Sequence, residues 1–254
     1  MIDTHTHLYL TEFADGGVEA VRKALSSGVN HLVFPNVDET TIEAMTVLHN
    51  LFPHTTSMAM GLHPTEVGDD WEIITDRIEQ RISGKNYVAV GEVGIDLYWD
   101  KSKAELQKKA FRRQIEIAQK YALPVIIHCR EALPEVSDII REKKPDIPLI
   151  FHSFTCSYED VKALRAICNP YFGINGVVTY KNAQTLRNAL HEIGIAHMIL
   201  ETDSPYLTPV PYRGKRNESS YLYLIRDKIA ETIGIPPEEV EATTDMNARN
   251  IFGL

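Results

Sequence analysis

The chain has 254 residues, 44% of them hydrophobic and 24% charged, which is ordinary for a globular fold and enough to bury a full core. A formal net charge of −9 disfavours a protein that coats duplex nucleic acid through a broad basic surface, while leaving room for a local basic rim around a cleft. No apolar run reaches the roughly 18 residues of a membrane span, and Met1 leads straight into Ile2-Asp3-Thr4-His5 without a basic, cleavable leader, so the expectation is a cytoplasmic protein with no membrane partner.

Short apolar runs alternate with amphipathic segments along the whole length. In chain order the runs predicted as strands are 2–8, 31–37, 56–62, 87–95, 124–129, 148–152, 171–178 and 197–201. The segments predicted as helices are 17–27, 40–51, 71–82, 104–121, 134–143, 158–167 and 182–193. In the fourth of these, Phe111, Ile115 and Ala118 recur on one face. No linker divides the chain, so residues 1–254 are expected to form a single domain. Eight strand–helix repeats imply parallel strands with crossover helices, and continuous runs such as Val125-Ile126-Ile127 suit strands covered on both faces.

A closed (β/α)8 barrel of the TIM type and an open doubly wound sheet both satisfy that pattern. The polar residues decide for the barrel, because they stand at the C-terminal ends of many different strands. An open sheet gathers its site at one switch point with a Gly-rich loop, and no GxGxxG follows the first strand.

The first strand ends in His5-Thr6-His7, whose alternation sends His5 and His7 to one side. Taken alone, such a pair is as readily a structural feature as a metal site. The fourth strand ends in Gly91-Glu92-Val93-Gly94-Ile95-Asp96, the fifth in His128-Cys129-Arg130-Glu131, the sixth in His152-Ser153-Phe154 and the eighth in Glu201-Thr202-Asp203-Ser204-Pro205. A strand that turns from apolar to His or carboxylate at its end incurs desolvation unless the group is paired or ligating. His5, His7, Glu92, His128, His152 and Asp203 form a nitrogen and oxygen donor set suited to zinc, manganese or magnesium. Six ligands exceed one tetrahedral ion, so two divalent ions are expected, with Glu92 as the candidate bridge. Asp203 is the candidate general base toward a metal-activated water. Cys129, Cys156 and Cys168 form no CxxC pair and no disulfide is expected.

In these motifs the chain resembles the TatD family of metal-dependent deoxyribonucleases, within the amidohydrolase-like superfamily. The resemblance runs from Ile2-Asp3-Thr4-His5-Thr6-His7-Leu8 to Asn247-Ala248-Arg249-Asn250-Ile251-Phe252. It includes Gly61-Leu62-His63-Pro64, Pro124-Val125-Ile126-Ile127-His128-Cys129-Arg130-Glu131-Ala132 and Arg213-Gly214-Lys215-Arg216-Asn217-Glu218. It implies a distorted barrel, one metal on His5, His7, Glu92 and Asp203, and another on Glu92, His128 and His152. It also implies exonuclease-like hydrolysis of phosphodiester bonds, with single-stranded DNA or DNA ends as substrate. Glu92 stands where many binuclear amidohydrolases carry a modified lysine. Two departures from the family pattern are Ser153-Phe154-Thr155-Cys156 after the sixth-strand histidine and Ser219-Ser220 in place of a proline.

The remaining polar residues carry weaker expectations. His63 and Arg130 are expected to contact a substrate phosphate. Lys181, Arg213, Lys215 and Arg216 form either a local basic rim or solvated loops. Glu201 either orients a ligand or pairs with an arginine. Asp96, Tyr98 and Trp99 either offer an aromatic face to a base or pack a loop. His31, His49, His54, His191 and His197 are expected to be structural. Two other functions remain open on the same residues. One is hydrolysis of amide, ester or lactone bonds, and the other is a metal-bound interaction protein without turnover.

Overall fold

Parity along the strands sorts the side chains into two cores. On the fifth and sixth strands Ile126 and Ile150 are register partners and point inward, while Val125, Ile127, Leu149 and Phe151 point outward to the helices. The computed structural model describes residues 1–84 and 87–254. Its strands are β1 (Ile2–Asp3), β2 (His31–Pro35), β3 (Thr56–Met60), β4 (Tyr87–Asp96), β5 (Val125–Arg130), β6 (Leu149–Phe151), β7 (Pro170–Ile174) and β8 (Met198–Leu200). Its helices are α1 (Val18–Ser26), α2 (Ile42–Leu51), α3 (Trp71–Ser83), α4 (Ala104–Tyr121), α5 (Leu133–Lys143), α6 (Tyr158–Arg165), α7 (Gln184–Ile193), α8 (Leu222–Ile233) and α9 (Pro237–Phe252).

The eight strands are parallel and lie in sequence order. The backbone N–H and the hydroxyl of Thr4 both donate to the carbonyl of Leu200, at 3.0 and 2.9 Å, which ties β8 to the end of β1 and closes the sheet. The predicted (β/α)8 barrel is the observed fold. Among the described residues, no helix is long and apolar enough to cross a membrane.

Several strands are shorter than their apolar runs. The ladder of β1 stops at Asp3, although the predicted strand runs to residue 8, and the backbone bends at His5. The backbone N–H groups of Thr6 and His7 still donate to Val33 and Ser204, at 3.1 and 2.8 Å, so this segment stays wedged between its neighbours. On β7 the ladder stops at Ile174, and the rest of the predicted strand turns through the short 3-10 segment Gly176–Thr179. In each case the chain leaves the ladder where its polar residues begin.

Helices α8 and α9 lie outside the predicted elements. On α9 the buried face carries Thr244 and Asn247 beside Val240, Ala248 and Ile251, which dilutes the apolar period. Asn247 earns its burial by donating to the carbonyls of Ile195 and Met198, at 3.0 and 2.8 Å. The end of α9 plugs the barrel from its N-terminal side, with Ala248, Ile251 and Phe252 packed against the inner layer of Ile2, Val33, Ile126 and Ile150. Phe252→Ala is expected to cost about 3–5 kcal/mol of stability in urea unfolding, the range for emptying a buried aromatic site. A loss below about 1 kcal/mol would mean that the plug contributes little.

Candidate metal centre

The same parity that points Ile126 and Ile150 inward carries on to His128 and His152, two residues further along each chain. Likewise Ile199 is followed inward by Glu201. Glu92 sits inside β4, where the register with β5 shifts between Val90 and Val93, and the Gly91–Glu92 peptide is cis. The six predicted ligands converge at the C-terminal mouth, and all but the partly exposed His128 and Asp203 are buried.

Their arrangement is organised by Glu92. Its Oε2 lies 3.0 Å from His5 Nε2 and 3.6 Å from His7 Nε2. Its Oε1 lies 2.7 Å from His128 Nδ1 and 2.8 Å from His152 Nε2. Asp203 Oδ1 joins the first group, 3.7 Å from His5 Nε2 and 3.6 Å from His7 Nε2. One carboxylate therefore faces two donor clusters, with one oxygen turned to each.

The neighbours of the histidines set their tautomers. The Tyr9 hydroxyl donates to the carbonyl of Pro35, so it accepts from His7 Nδ1–H at 2.9 Å and leaves the Nε2 lone pair of His7 facing the cluster. Asp96 Oδ2 accepts from His128 Nε2–H at 2.9 Å, which turns the Nδ1 lone pair toward Glu92. A bare imidazole nitrogen 2.7 Å from a carboxylate oxygen is repulsive unless a cation sits with them. The donor set, its geometry and its burial thus fit divalent cations.

The charges agree with this. Burial alone would raise the Glu92 carboxyl, but the imidazoles of His152, His63 and His5 hold it well below the usual carboxylate range. Burial likewise opposes protonation of His128 and His152. Asp96 and Glu92 nevertheless raise His128, and Glu92 and Glu201 raise His152 well above an ordinary histidine. Any proton that these raised imidazoles hold must be displaced when a divalent ion binds. Zinc binding is therefore expected to release protons and to weaken as pH falls. Calorimetry at one pH in buffers of different ionisation enthalpy checks this, and a heat independent of buffer would contradict it.

His63 plays a different part. Its Nδ1 accepts from the backbone N–H of Thr65 at 3.2 Å, so Nε2 carries the proton. That Nε2–H lies 3.2 Å from Glu92 Oε1 and 3.3 Å from His128 Nδ1, a hydrogen-bond donor at the rim of the cluster rather than a lone pair for a metal. Burial lowers its pKa and keeps it neutral.

The cluster opens into a cleft of about 680 Å³ lined by His63, Trp99, Arg130, Ser153, Thr155 and Tyr206, among others. Arg130 stacks over Tyr98 at 3.8 Å and keeps its guanidinium at the mouth. Lys181 and Arg213 do not line this cleft: Lys181 is exposed, and Arg213 lies on the Tyr180 ring at 4.3 Å. Arg216 is tied to Glu218 at 3.1 Å and to the carbonyl of Glu12 at 2.9 Å. A larger groove of about 900 Å³ lies at the N-terminal end of β6 and contains none of the predicted site residues.

Comparison with known proteins bears directly on this geometry. The family model described as TatD related DNase matches residues 2–253. The uncharacterized metal-dependent hydrolase YabD of Bacillus subtilis is 35% identical over 257 residues, covering 100% of this chain and 99% of its own. The chain belongs to the TatD family. The uncharacterized metal-dependent hydrolase TatD of Mycobacterium tuberculosis is 31% identical, covering 100% of this chain and 98% of its own. The crystal structure of YJJV, a TatD homolog from Escherichia coli, superposes with a TM-score of 0.93 at 23% identity, over 100% of this chain and 98% of that one. The protein is a metal-dependent hydrolase with the TatD barrel.

Several residues that shape this TatD site do not stand out in the sequence. Tyr9 follows His7 at the same parity, so alternation alone could have proposed it, while Asp96, expected in an acidic and aromatic loop, instead ends β4 and holds His128. Gln107 and Gln114 could not be found that way, because they project from α4. Gln107 pairs with both backbone groups of Asp96, at 2.9 and 3.1 Å, and Gln114 with both of Leu62, at 2.7 and 3.2 Å. They clamp the chain beside two site residues, Asp96 and His63. The two departures from the family pattern are also accommodated. Ser153 Oγ accepts from Asn175 at 2.7 Å, and Ser219 Oγ meets the Thr6 hydroxyl at 3.1 Å.

Proposed function

We propose that this TatD-family hydrolase cleaves phosphodiester bonds as a deoxyribonuclease, acting in an exonuclease-like manner on single strands or ends. The observation that carries the reading is the division of Glu92 between two donor clusters, with Asp203 beside the first. His5, His7, Glu92 and Asp203 would hold one divalent ion, and Glu92, His128 and His152 a second, whether zinc, magnesium or manganese. When bound, such ions supply Lewis acidity and an activated water.

The chain's own residues do the rest. Asp203 is an ionised carboxylate at neutral pH, because His7, His152 and His5 lower its pKa against the effect of burial, so its oxygen can accept a proton from the attacking water. His63 offers a neutral Nε2–H to a phosphoryl oxygen. Arg130 presents a planar fork at the mouth, which suits a phosphate. Trp99 is 70% exposed beside it, an apolar ring face open to a base. The family description as a DNase supports DNA as the substrate. A cytoplasmic setting fits the cysteines: Cys129, Cys156 and Cys168 are free, and burial raises all three thiols, those of Cys156 and Cys168 to about 11.

The test is hydrolysis of single-stranded DNA labelled at its 5′ or 3′ end by metal-stripped protein, with magnesium, manganese or zinc restored. Stepwise shortening from one end, only with metal, is expected. Intact DNA under every metal, together with turnover of an amide or lactone panel, would move the assignment to carboxyl-type substrates.

A further inference from the structure

Three buried side-chain atoms have no hydrogen-bond partner among the described residues: His5 Nδ1, His152 Nδ1 and Glu201 Oε2. They belong to one place. A nitrogen of His5, a nitrogen of His152 and a carboxylate oxygen of Glu201 lie within 4.8 Å of one another. The two rings are stacked, 3.9 Å apart and inclined by 13°. Their Nε2 atoms meet Glu92, and Glu201 lies on the Nδ1 side of His152, with Oε1 at 3.6 Å.

The carboxylate is held for this purpose. Glu201 is fully buried, and among the described residues its only ion-pair partner is His152. Pairing with an arginine, one of the two expectations for Glu201, is not what the structure contains. Oε1 accepts from the backbone N–H of Ser153 at 2.6 Å and from Asn175 Nδ2 at 3.5 Å. Space for Oε2 comes from Gly173 on the adjacent strand, where any Cβ would lie 2.0 Å from that oxygen. A buried carboxylate with one free oxygen, in the same cluster as two unpartnered imidazole nitrogens, calls for protons between them.

Chemistry decides what occupies the space. An imidazole that offers Nε2 as a lone pair carries its proton on Nδ1. His5 and His152 therefore bring two N–H donors, and a third cation on the same nitrogens is ruled out. We propose that Glu201 is a positioning residue common to both clusters. Its Oε2 accepts from His5 Nδ1–H and His152 Nδ1–H, directly or across one enclosed water, and locks both imidazoles with Nε2 turned to the metals. His5 belongs to one cluster and His152 to the other, so a single carboxylate sets ligand orientation on both sides of Glu92. The proposal rests on the metal-centre reading above, but not on the choice of substrate.

The test compares zinc binding by metal-stripped wild type, Glu201→Ala, Glu201→Gln and Gly173→Ala, using chelator competition. Melting of the zinc-free proteins reports the fold. Orienting partners of ligand histidines typically contribute about 10–100-fold in metal affinity, and a loss of that size is expected at both zinc-binding steps in Glu201→Ala. Gly173→Ala, which displaces the carboxylate but keeps its charge, should lose a similar amount. Glu201→Gln, whose amide oxygen can still accept, should recover part of it. In zinc-loaded wild type, 15N spectra of the histidines should show both His5 and His152 as Nδ1–H tautomers, a readout independent of any variant's stability. Finding either ring protonated on Nε2, or unchanged zinc affinity in folded Glu201→Ala, overturns the proposal. A wild type that binds neither zinc nor manganese nor magnesium overturns the metal-centre reading itself, and this proposal with it.

Discussion

Glu92→Gln is expected to abolish hydrolysis to within a small residue of the wild-type rate, a loss of roughly a thousandfold or more, because Glu92 is the carboxylate proposed to be shared by two ions, and its removal would take away both the activated water and the charge stabilisation. The reasoning is geometric. Both Glu92 oxygens are in use, one against His5 and His7 and the other against His128, His152 and His63. The amide keeps the volume but turns one of those oxygens into an NH2 donor, which then faces nitrogens whose lone pairs are meant for a metal. Whichever way the amide flips, both clusters lose the negative charge and one also loses its oxygen ligand. Metal content after dialysis should therefore drop together with activity. Circular dichroism is the control for folding, since Glu92 is a buried carboxylate packed among imidazoles. Full metal content with a near wild-type rate would remove Glu92 from its assigned place.

Asp203→Asn should separate chemistry from metal binding. Loss of a general base lowers rate by about 10²–10⁴-fold, while His5, His7 and Glu92 remain to hold the first ion. Asparagine is the right replacement because Asp203 has φ +56°, a left-handed conformation that Asp and Asn tolerate better than other side chains. The backbone N–H of residue 203, which donates to the His5 carbonyl at 2.9 Å, is untouched. The pH dependence carries the signature. The folded pKa of Asp203 lies below its ordinary value, so the base is available through neutral pH and is lost only as pH falls through that lowered value. The variant should have a low rate without that acidic limb. A wild-type acid limb in the variant would assign the proton transfer to another group.

How much of this was legible in the sequence depends on how each residue is held. His128, His152 and Glu201 are direct continuations of inward parity from Ile126, Ile150 and Ile199, so reading the strands was enough to aim them. His5 and His7 reach the predicted place by another route, since β1 ends at Asp3 and hydrogen bonds to β2 and to the segment after β8 hold the segment beyond it. Glu92 depends on a register shift that no alternation rule foresees. The orienting layer was largely hidden. Gln107 and Gln114 act on backbone atoms of other elements, and a sequence pattern carries no trace of which backbone a side chain will meet. For the basic residues of the loop at 213–216, a basic rim and solvated loops both stay open in the sequence. Charge alone does not choose between the two, and in the fold Arg213 and Arg216 lie on the rings of Tyr180 and Phe13. The plug α9 escaped for a physical reason too: its buried face uses Thr244 and Asn247, which burial accepts only because their hydrogen bonds are made within the fold.

The most direct measurement is anomalous scattering from crystals of the zinc-loaded protein. The account predicts two zinc peaks, one on the His5, His7 and Asp203 side of the Glu92 carboxylate and one on the His128 and His152 side. A single peak, or a peak lying between His5, His152 and Glu201, would contradict it.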